Sequence, residues 1–287
     1  MYKITVASGK GGTGKTTVAA NLAYFLSDRR RVQYLDCDVE EPDGHIFIKP
    51  DLTKHESATV LIPEIIEDKC IGCGKCSKHC QYGALATVKG KTLVFPELCH
   101  SCGLCKEICP AGAIKEVPRE IGLIESGFGE NGIEFIRGLL NIGESTVTPL
   151  IAMVLERSNK NAIQVIDAPP GAACPTIKCI RNSDVVILVT EPTPFGLHDL
   201  KAAASIALKF DKPLGIVINR AGREFSELDE YLRETNIPVI TSIQNDLDIA
   251  MNYSRGNLIL KSLPAYRQNF IRISSWIDGI FEKGGLK

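Results

Sequence analysis

The chain has 287 residues, 44% hydrophobic and 23% charged, with 33 Lys+Arg against 34 Asp+Glu and a formal net charge of −1. This balance excludes a disordered or fibrous chain and lacks the overall positive field of a nonspecific nucleic-acid binder, while the length suffices for a large domain or a medium one carrying a second small unit. The 11 cysteines are the anomaly, and eight of them fall between Cys70 and Cys109.

The chain opens Met1-Tyr2-Lys3 and passes directly into Ile4-Thr5-Val6-Ala7, a strand, with none of the regions of a secretory signal. A glycine-rich turn follows, and residues 15–28 carry helical spacing through Val18, Leu22, Phe25 and Leu26. Residues 32–36 read as a second strand. Beyond Asp36-Cys37-Asp38 the text turns irregular, and residues 56–118 form a short-segmented, Gly/Cys-punctuated insert in which Leu85 to Phe95 reads as a hairpin turning at Lys89-Gly90. The α/β alternation resumes with a helical stretch around 131–157. Strands are expected near 162–167, 184–190, 214–219 and 237–241, with helices between them and a final helix around 266–282. Apolar strands separated by helices predict an α/β fold, a mostly parallel sheet covered by helices on both faces. The expected organisation is one domain over 1–55 and 119–287, interrupted by a small α+β domain over 56–118.

The longest apolar stretches, such as Val185 to Val189, fall far short of the roughly 18 residues that span a bilayer. A cytoplasmic, reducing location is the expectation, and there dense cysteines hold metal or act in catalysis rather than form structural disulfides.

Gly9-Lys10-Gly11-Gly12-Thr13-Gly14-Lys15-Thr16 fits G-x-x-x-x-G-K-[ST], directly after a strand and before a helix, with Thr17 next. Small glycines let consecutive backbone N–H groups surround a phosphate, the helix N-terminus adds partial positive charge, Lys15 supplies a cation and Thr16 a hydroxyl for Mg²⁺. With Lys10 as a second lysine, the loop resembles the deviant Walker A signature of the MinD/ParA/Mrp/nitrogenase iron protein superfamily of ATPases. That resemblance implies an ATP-dependent homodimer, with Lys10 crossing the interface to the partner's nucleotide. Asp36-Cys37-Asp38-Val39-Glu40-Glu41-Pro42 resembles the family's stretch after the second strand, where Asp38 would orient or activate the attacking water. Ala162 to Ile166 followed by Asp167-Ala168-Pro169-Pro170-Gly171 resembles Walker B and switch II: Asp167 would bind Mg²⁺ through water and Gly171 would sense the γ-phosphate. Asn219-Arg220 matches the position that reads the adenine.

C-x₂-C-x₂-C-x₃-C occurs twice, at Cys70, Cys73, Cys76, Cys80 and at Cys99, Cys102, Cys105, Cys109, and the repeat extends into Gly83-Ala84-Leu85 and Gly112-Ala113-Ile114. This is the bacterial ferredoxin run, in which the fourth cysteine ligates the other cluster. One [4Fe–4S] cluster would take Cys70, Cys73, Cys76 and Cys109, and a second Cys99, Cys102, Cys105 and Cys80. Zinc is the competing reading, but its sites usually use two separated pairs. Gln81 stands after Cys80 where Pro110 stands after Cys109. Of the remaining cysteines, Cys37 reads as a buried filler. Cys174 and Cys179 are either structural thiols or ligands of a further cluster at a dimer axis.

The match is nearest to MinD-superfamily ATPases with an inserted two-cluster ferredoxin domain. It implies an ATPase whose nucleotide cycle gates electron transfer to a redox partner, since the insert leaves the chain soon after Asp38. The alternatives are an iron–sulfur or metal-cofactor assembly scaffold delivering to a recipient protein, and a MinD/ParA-like spatial organiser. The near-neutral charge speaks against nucleic acid as a partner. The apolar stripe Phe270, Ile273, Ile277 and Ile280 reads as a core-facing helix rather than a membrane anchor. An amide-forming ligase ranks lowest, because 287 residues leave no room for a glutaminase-type domain.

Overall fold

Strands that are apolar at every position need cover on both faces, and the helices between them supply it. The computed structural model describes residues 1–283. Strand β1 (Lys3–Ala7) leads through the glycine loop into α1 (Lys15–Ser27), and β2 (Val32–Asp36) and the short α2 (Gly44–Ile48) follow. The long β3 (Asp51–Ile65) precedes α3 (Lys75–His79), the hairpin β4 (Leu85–Val88) and β5 (Lys91–Val94), α4 (Leu104–Glu107) and the equally long β6 (Ile114–Phe128). Then come β7 (Glu134–Leu140), α5 (Val147–Glu156), β8 (Ile163–Asp167), α6 (Cys174–Arg181), β9 (Val185–Thr190) and α7 (Pro194–Lys209). The chain continues through β10 (Leu214–Ala221), α8 (Ser226–Thr235), β11 (Val239–Gln244), α9 (Leu247–Ser254), α10 (Ile259–Ser262) and α11 (Arg267–Lys283).

The strands form a sheet in the order β11-β10-β9-β1-β8-β2-β7-β6-β3, and every pair from β11 to β7 is parallel. Side chains alternate between its faces. Ile4, Val6, Ile163, Val165, Val185 and Ile187 join a core with Val18 and Leu22 of α1 and with Phe270, Ile273 and Ile277 of α11. On the other face Thr5 bonds the Cys179 carbonyl of α6 at 3.3 Å. The apolar stripe of α11 is therefore spent inside the protein. Among the described residues no helix is long and apolar enough to cross a membrane.

The helical stretch expected around 131–157 is wrong in its first half. Residues 134–140 are a strand, paired in parallel with β2 from Gln33↔Glu134 to Asp36↔Arg137, and helix begins only at Val147. Local spacing suited either element; the partner strand decided, burying Phe135 and Ile136.

The chain divides into two compact units: Met1–His55, Ile124–Leu139 and Ile151–Lys287, and Glu56–Leu123 with Leu140–Leu150. The second contains 140–150, a stretch that the sequence reading gave to the larger domain. It is also built as two matching halves. The 3₁₀ turn Glu67–Lys69, α3 and β4 recur, at one fixed offset, as Pro96–Leu98, α4 and the start of β6. The halves are tied reciprocally: Ile66 N–H bonds Ala113 O at 2.8 Å, and Phe95 N–H bonds Ala84 O at 2.8 Å.

Because Ile273 is completely buried against the sheet, Ile273→Ala is expected to cost about 2–5 kcal/mol, read as a lower midpoint in chemical unfolding.

Candidate functional site

The glycine loop has its shape because two residues could not be otherwise. Gly14 sits at φ 92°, and a Cβ there would stand 2.2 Å from the Asn219 amide nitrogen. Gly9 lies against the Asp199 backbone, where a Cβ would meet the carbonyl oxygen at 2.2 Å. Asn219 Nδ2 donates to Thr13 O at 2.8 Å, pinning the loop to the end of β10. Gly171 N–H donates to Ser8 O at 2.9 Å, which ties the segment after β8 to the same loop.

Lys15 is the electrostatic centre of the site. Its Nζ lies 2.7 Å from Asp167 Oδ1, 3.5 Å from Asp38 Oδ2 and 3.4 Å from Thr16 Oγ1. Burial works against its charge, yet Asp167 and Asp38 outweigh that cost and hold its pKa above the ordinary value. Tyr34 donates to Asp167 Oδ2 at 2.7 Å. Asp36, buried and close to Asp167, is pushed well above the carboxylate range, and its oxygens take the N–H groups of Gly44 and Asp38. Asp38 is raised to about 6, by burial first, with Lys15 pulling against it.

Lys15 and Asp38 line a cavity of about 380 Å³ at the C-terminal ends of the strands, bounded by Gly11, Gly12, Thr16, Thr17, Pro170 and Asn219 among others. Open parallel sheets place ligands at such an end. Arg220 lines it too, but its guanidinium is turned to Glu191 at 3.1 Å. Lys10 is likewise held by Glu191, at 2.7 Å. Glu191, at the end of β9, escaped the sequence reading; its place just past an apolar strand was the available signal.

The second unit has a different chemistry. Among the described residues no three Cys, His, Asp or Glu converge as a single metal ion would need. The cysteines instead ring two hollows. One is bordered by Cys70, Cys73, Cys76 and Cys109. The other is bordered by Cys80, Cys99, Cys102 and Cys105, with Cys76 also at its edge. Backbone amides point at two of the sulfurs: Ser101 N–H to Cys99 Sγ at 3.4 Å and Ala113 N–H to Cys109 Sγ at 3.3 Å. Cys37 and Cys179 are wholly buried, while Cys174 is exposed, so Cys179 offers no surface ligand.

Removing the buried cation should leave its carboxylates uncompensated. Lys15→Met is expected to lose about 3–5 kcal/mol at pH 8. In that variant the folded-state carboxylates have raised pKa values, so its deficit shrinks as pH falls to 5 and they take up protons. Urea unfolding of both proteins at the two pH values tests this.

A family model described as the CobQ/CobB/MinD/ParA nucleotide binding domain matches residues 4–259. The chain is 36% identical over 226 residues to the uncharacterized protein MJ0578 of Methanocaldococcus jannaschii, covering 77% of this chain and 79% of that one. It is 25% identical over 241 residues to an iron-sulfur cluster carrier protein of Methanococcus maripaludis, covering 80% and 64% respectively. Its fold is similar to that of the septum site-determining protein MinD of Pyrococcus horikoshii in complex with Mg-ADP: TM-score 0.59, 20% identity, 96% of each chain. The glycine loop, the strand-end aspartates and the match along most of the chain lead to one assignment: this protein belongs to the CobQ/CobB/MinD/ParA family of nucleotide-binding domains.

Proposed function

We propose that the protein is an ATP-hydrolysing iron–sulfur protein in which nucleotide binding and hydrolysis gate electron transfer from two [4Fe–4S] clusters to a partner protein. One observation carries this reading: each hollow of the second unit is bordered by three cysteines of one run and the fourth of the other, with Cys76 at the edge of both. That exchange of the fourth ligand is the pairing of bacterial two-cluster ferredoxins. The clusters would supply one-electron chemistry, and the eight cysteines would hold them.

In the nucleotide site the loop amides from Gly9 to Thr16 and the Lys15 ammonium receive the phosphates. Thr16, and Asp167 through water, would hold Mg²⁺, with Lys15 exchanging its carboxylate partners for phosphate oxygens. Asp38 takes the proton of the attacking water, Gly171 reads the γ-phosphate, and Asn219 and Arg220 border the base. Lys10 leaves Glu191 to reach the nucleotide of a second copy, which makes the dimer ATP-dependent.

A second reading, a carrier that delivers clusters to a recipient, draws on the exposure of Cys73 and Cys102 and on the similarity to the carrier protein. Anaerobic protein separates the two. Gating predicts eight iron per chain, retained in the presence of an apo-acceptor, with cluster potentials and reoxidation rates that respond to Mg-ATP and to Asp38→Ala. Loss of iron to the acceptor favours the carrier, and indifference to nucleotide removes gating.

The state of Asp38 also predicts a pH profile. Since kcat/KM reports the free enzyme, ATPase kcat/KM should fall roughly tenfold per unit below a pH of about 6, where Asp38 becomes protonated and can no longer accept a proton. Asp38→Asn should abolish most of the activity and leave no acid limb in what remains.

A further inference from the structure

The two halves of the second unit share a backbone plan but not a charge. From Lys69 to Pro96 the chain carries five lysines, Lys69, Lys75, Lys78, Lys89 and Lys91, and no acidic residue, while Asp68 and Glu97 stand just outside. The fixed offset of the repeat carries these lysines to Leu98, Leu104, Glu107, Pro118 and Glu120. Equivalent places in the second half hold no cation, so the plan that the halves share does not require one. Lys89 makes the same point locally. It sits at φ 49° before Gly90 at φ 80°, in a two-residue hairpin turn where Asn, Asp or Gly is the usual choice.

The five lysines lie on the elements that build one hollow, that of Cys70, Cys73, Cys76 and Cys109. Lys69 directly precedes Cys70, Lys75 lines the hollow, and Lys78 follows one turn along α3. Lys89 and Lys91 flank Gly90, whose oxygen would stand 2.4 Å from a Cβ on Gly72, between Cys70 and Cys73. Ser77 of α3 donates to Thr87 Oγ1 at 3.0 Å, and Thr87 bonds Thr92 at 2.9 Å, so the helix and the hairpin are fixed to each other. All five lysines are exposed, and among the described residues none enters an ion pair. In contrast, Lys106 and Lys115 of the second half are paired with Glu116 and Glu64. Between the lysines Ile71 is 70% exposed and Cys73 is open to solvent.

We propose that this lysine face docks an acidic one-electron carrier protein, which loads the clusters through the one held by Cys70, Cys73, Cys76 and Cys109. This rests on the two-cluster reading above. A small apolar centre set among unpaired charges suits a weak, fast protein encounter, in which the charges steer the approach and little surface is buried. Repeated loading needs such an encounter, because each spent carrier must leave quickly. The partner must bring carboxylates around its own redox centre. One electron passes from the carrier's reduced centre, which is oxidised, to the cluster in this hollow, which is reduced; no bond or proton moves.

The test uses the iron-loaded protein and, as probe, an acidic [2Fe–2S] ferredoxin of plant type. Calorimetry with the oxidised ferredoxin reads docking without electron transfer, and anaerobic stopped-flow with the reduced ferredoxin reads loading. Both should weaken steeply as salt rises from about 0.05 to 0.5 M. Lys75→Gln/Lys78→Gln should weaken binding and slow loading at least about tenfold at the lower salt, and the gap should close at the higher. Lys160→Gln/Lys209→Gln, which removes the same charge from exposed places on the other unit, should stay within about twofold of wild type. Reduction by the methyl viologen radical cation should be as fast in every variant. Equal losses in the two double variants, or no effect of salt, overturn the docking face. So does a lysine pair that is needed for binding a single-stranded oligonucleotide or phosphatidylserine vesicles while ferredoxin docking is unmoved. Iron and sulfide are counted first: fewer than eight of each in the wild type overturns the two-cluster reading itself, a failure distinct from a full complement without docking.

Discussion

A single buried ammonium group, Lys15, organises the nucleotide-binding unit. Three aspartates approach it from two strands: Asp36 and Asp38 from the end of β2 and Asp167 from the end of β8. Without a central cation, three carboxylates so close together in a low-dielectric site could not all ionise. The register Asp36↔Asp167 between neighbouring parallel strands puts the acids side by side, and α1 delivers Lys15 to them from the loop. The same arrangement suits ligand exchange. Under the proposed roles, a phosphate entering the loop would offer Lys15 a charge partner and leave Asp167 free for a metal ion.

The second unit meets a different constraint. A segment of this size buries little apolar surface, and small units of that kind draw on cross-links or metals. Here the halves are held by reciprocal backbone bonds, Ile66 to Ala113 and Phe95 to Ala84, and each hollow takes a cysteine from the opposite half. On the proposed two-cluster reading, ligation and folding would become one problem, because a cluster in either hollow would close both halves.

Much of this could be read from the residues, since the decisive features are local. The glycine loop, the hairpin at Lys89-Gly90 and the buried strands announce themselves through spacing. What stayed hidden depends on partners distant in sequence. Residues 134–140 became a strand because β2 needed a neighbour. Whether Cys179 is a structural thiol or a ligand is decided by α6, which turns it under β1 and buries it. Glu191 lies outside any motif and matters because Lys10 and Arg220 both turn to it.

Coupling between a nucleotide site and a distant function needs a physical element that both can bias. In the nucleotide-binding unit such an element leads outward from Asp36. β2 pairs with β7 so that Asp36 lies opposite Arg137, and Arg137 reaches Glu125 of β6 at 2.7 Å. Glu125 also holds His55 at 2.9 Å, and the ion pairs keep its carboxyl below the usual range despite burial. His55 and Ile124 are the residues at which the chain first leaves the unit and returns to it; Leu139 and Ile151 are the second such pair. The acid cluster around Lys15 and the first two of the four crossing points are thus joined by one pair of strands and the side chains of Arg137, Glu125 and His55. A change in the charge that Lys15 serves would act first on β2, the strand that carries two of its aspartates on or just beyond its end.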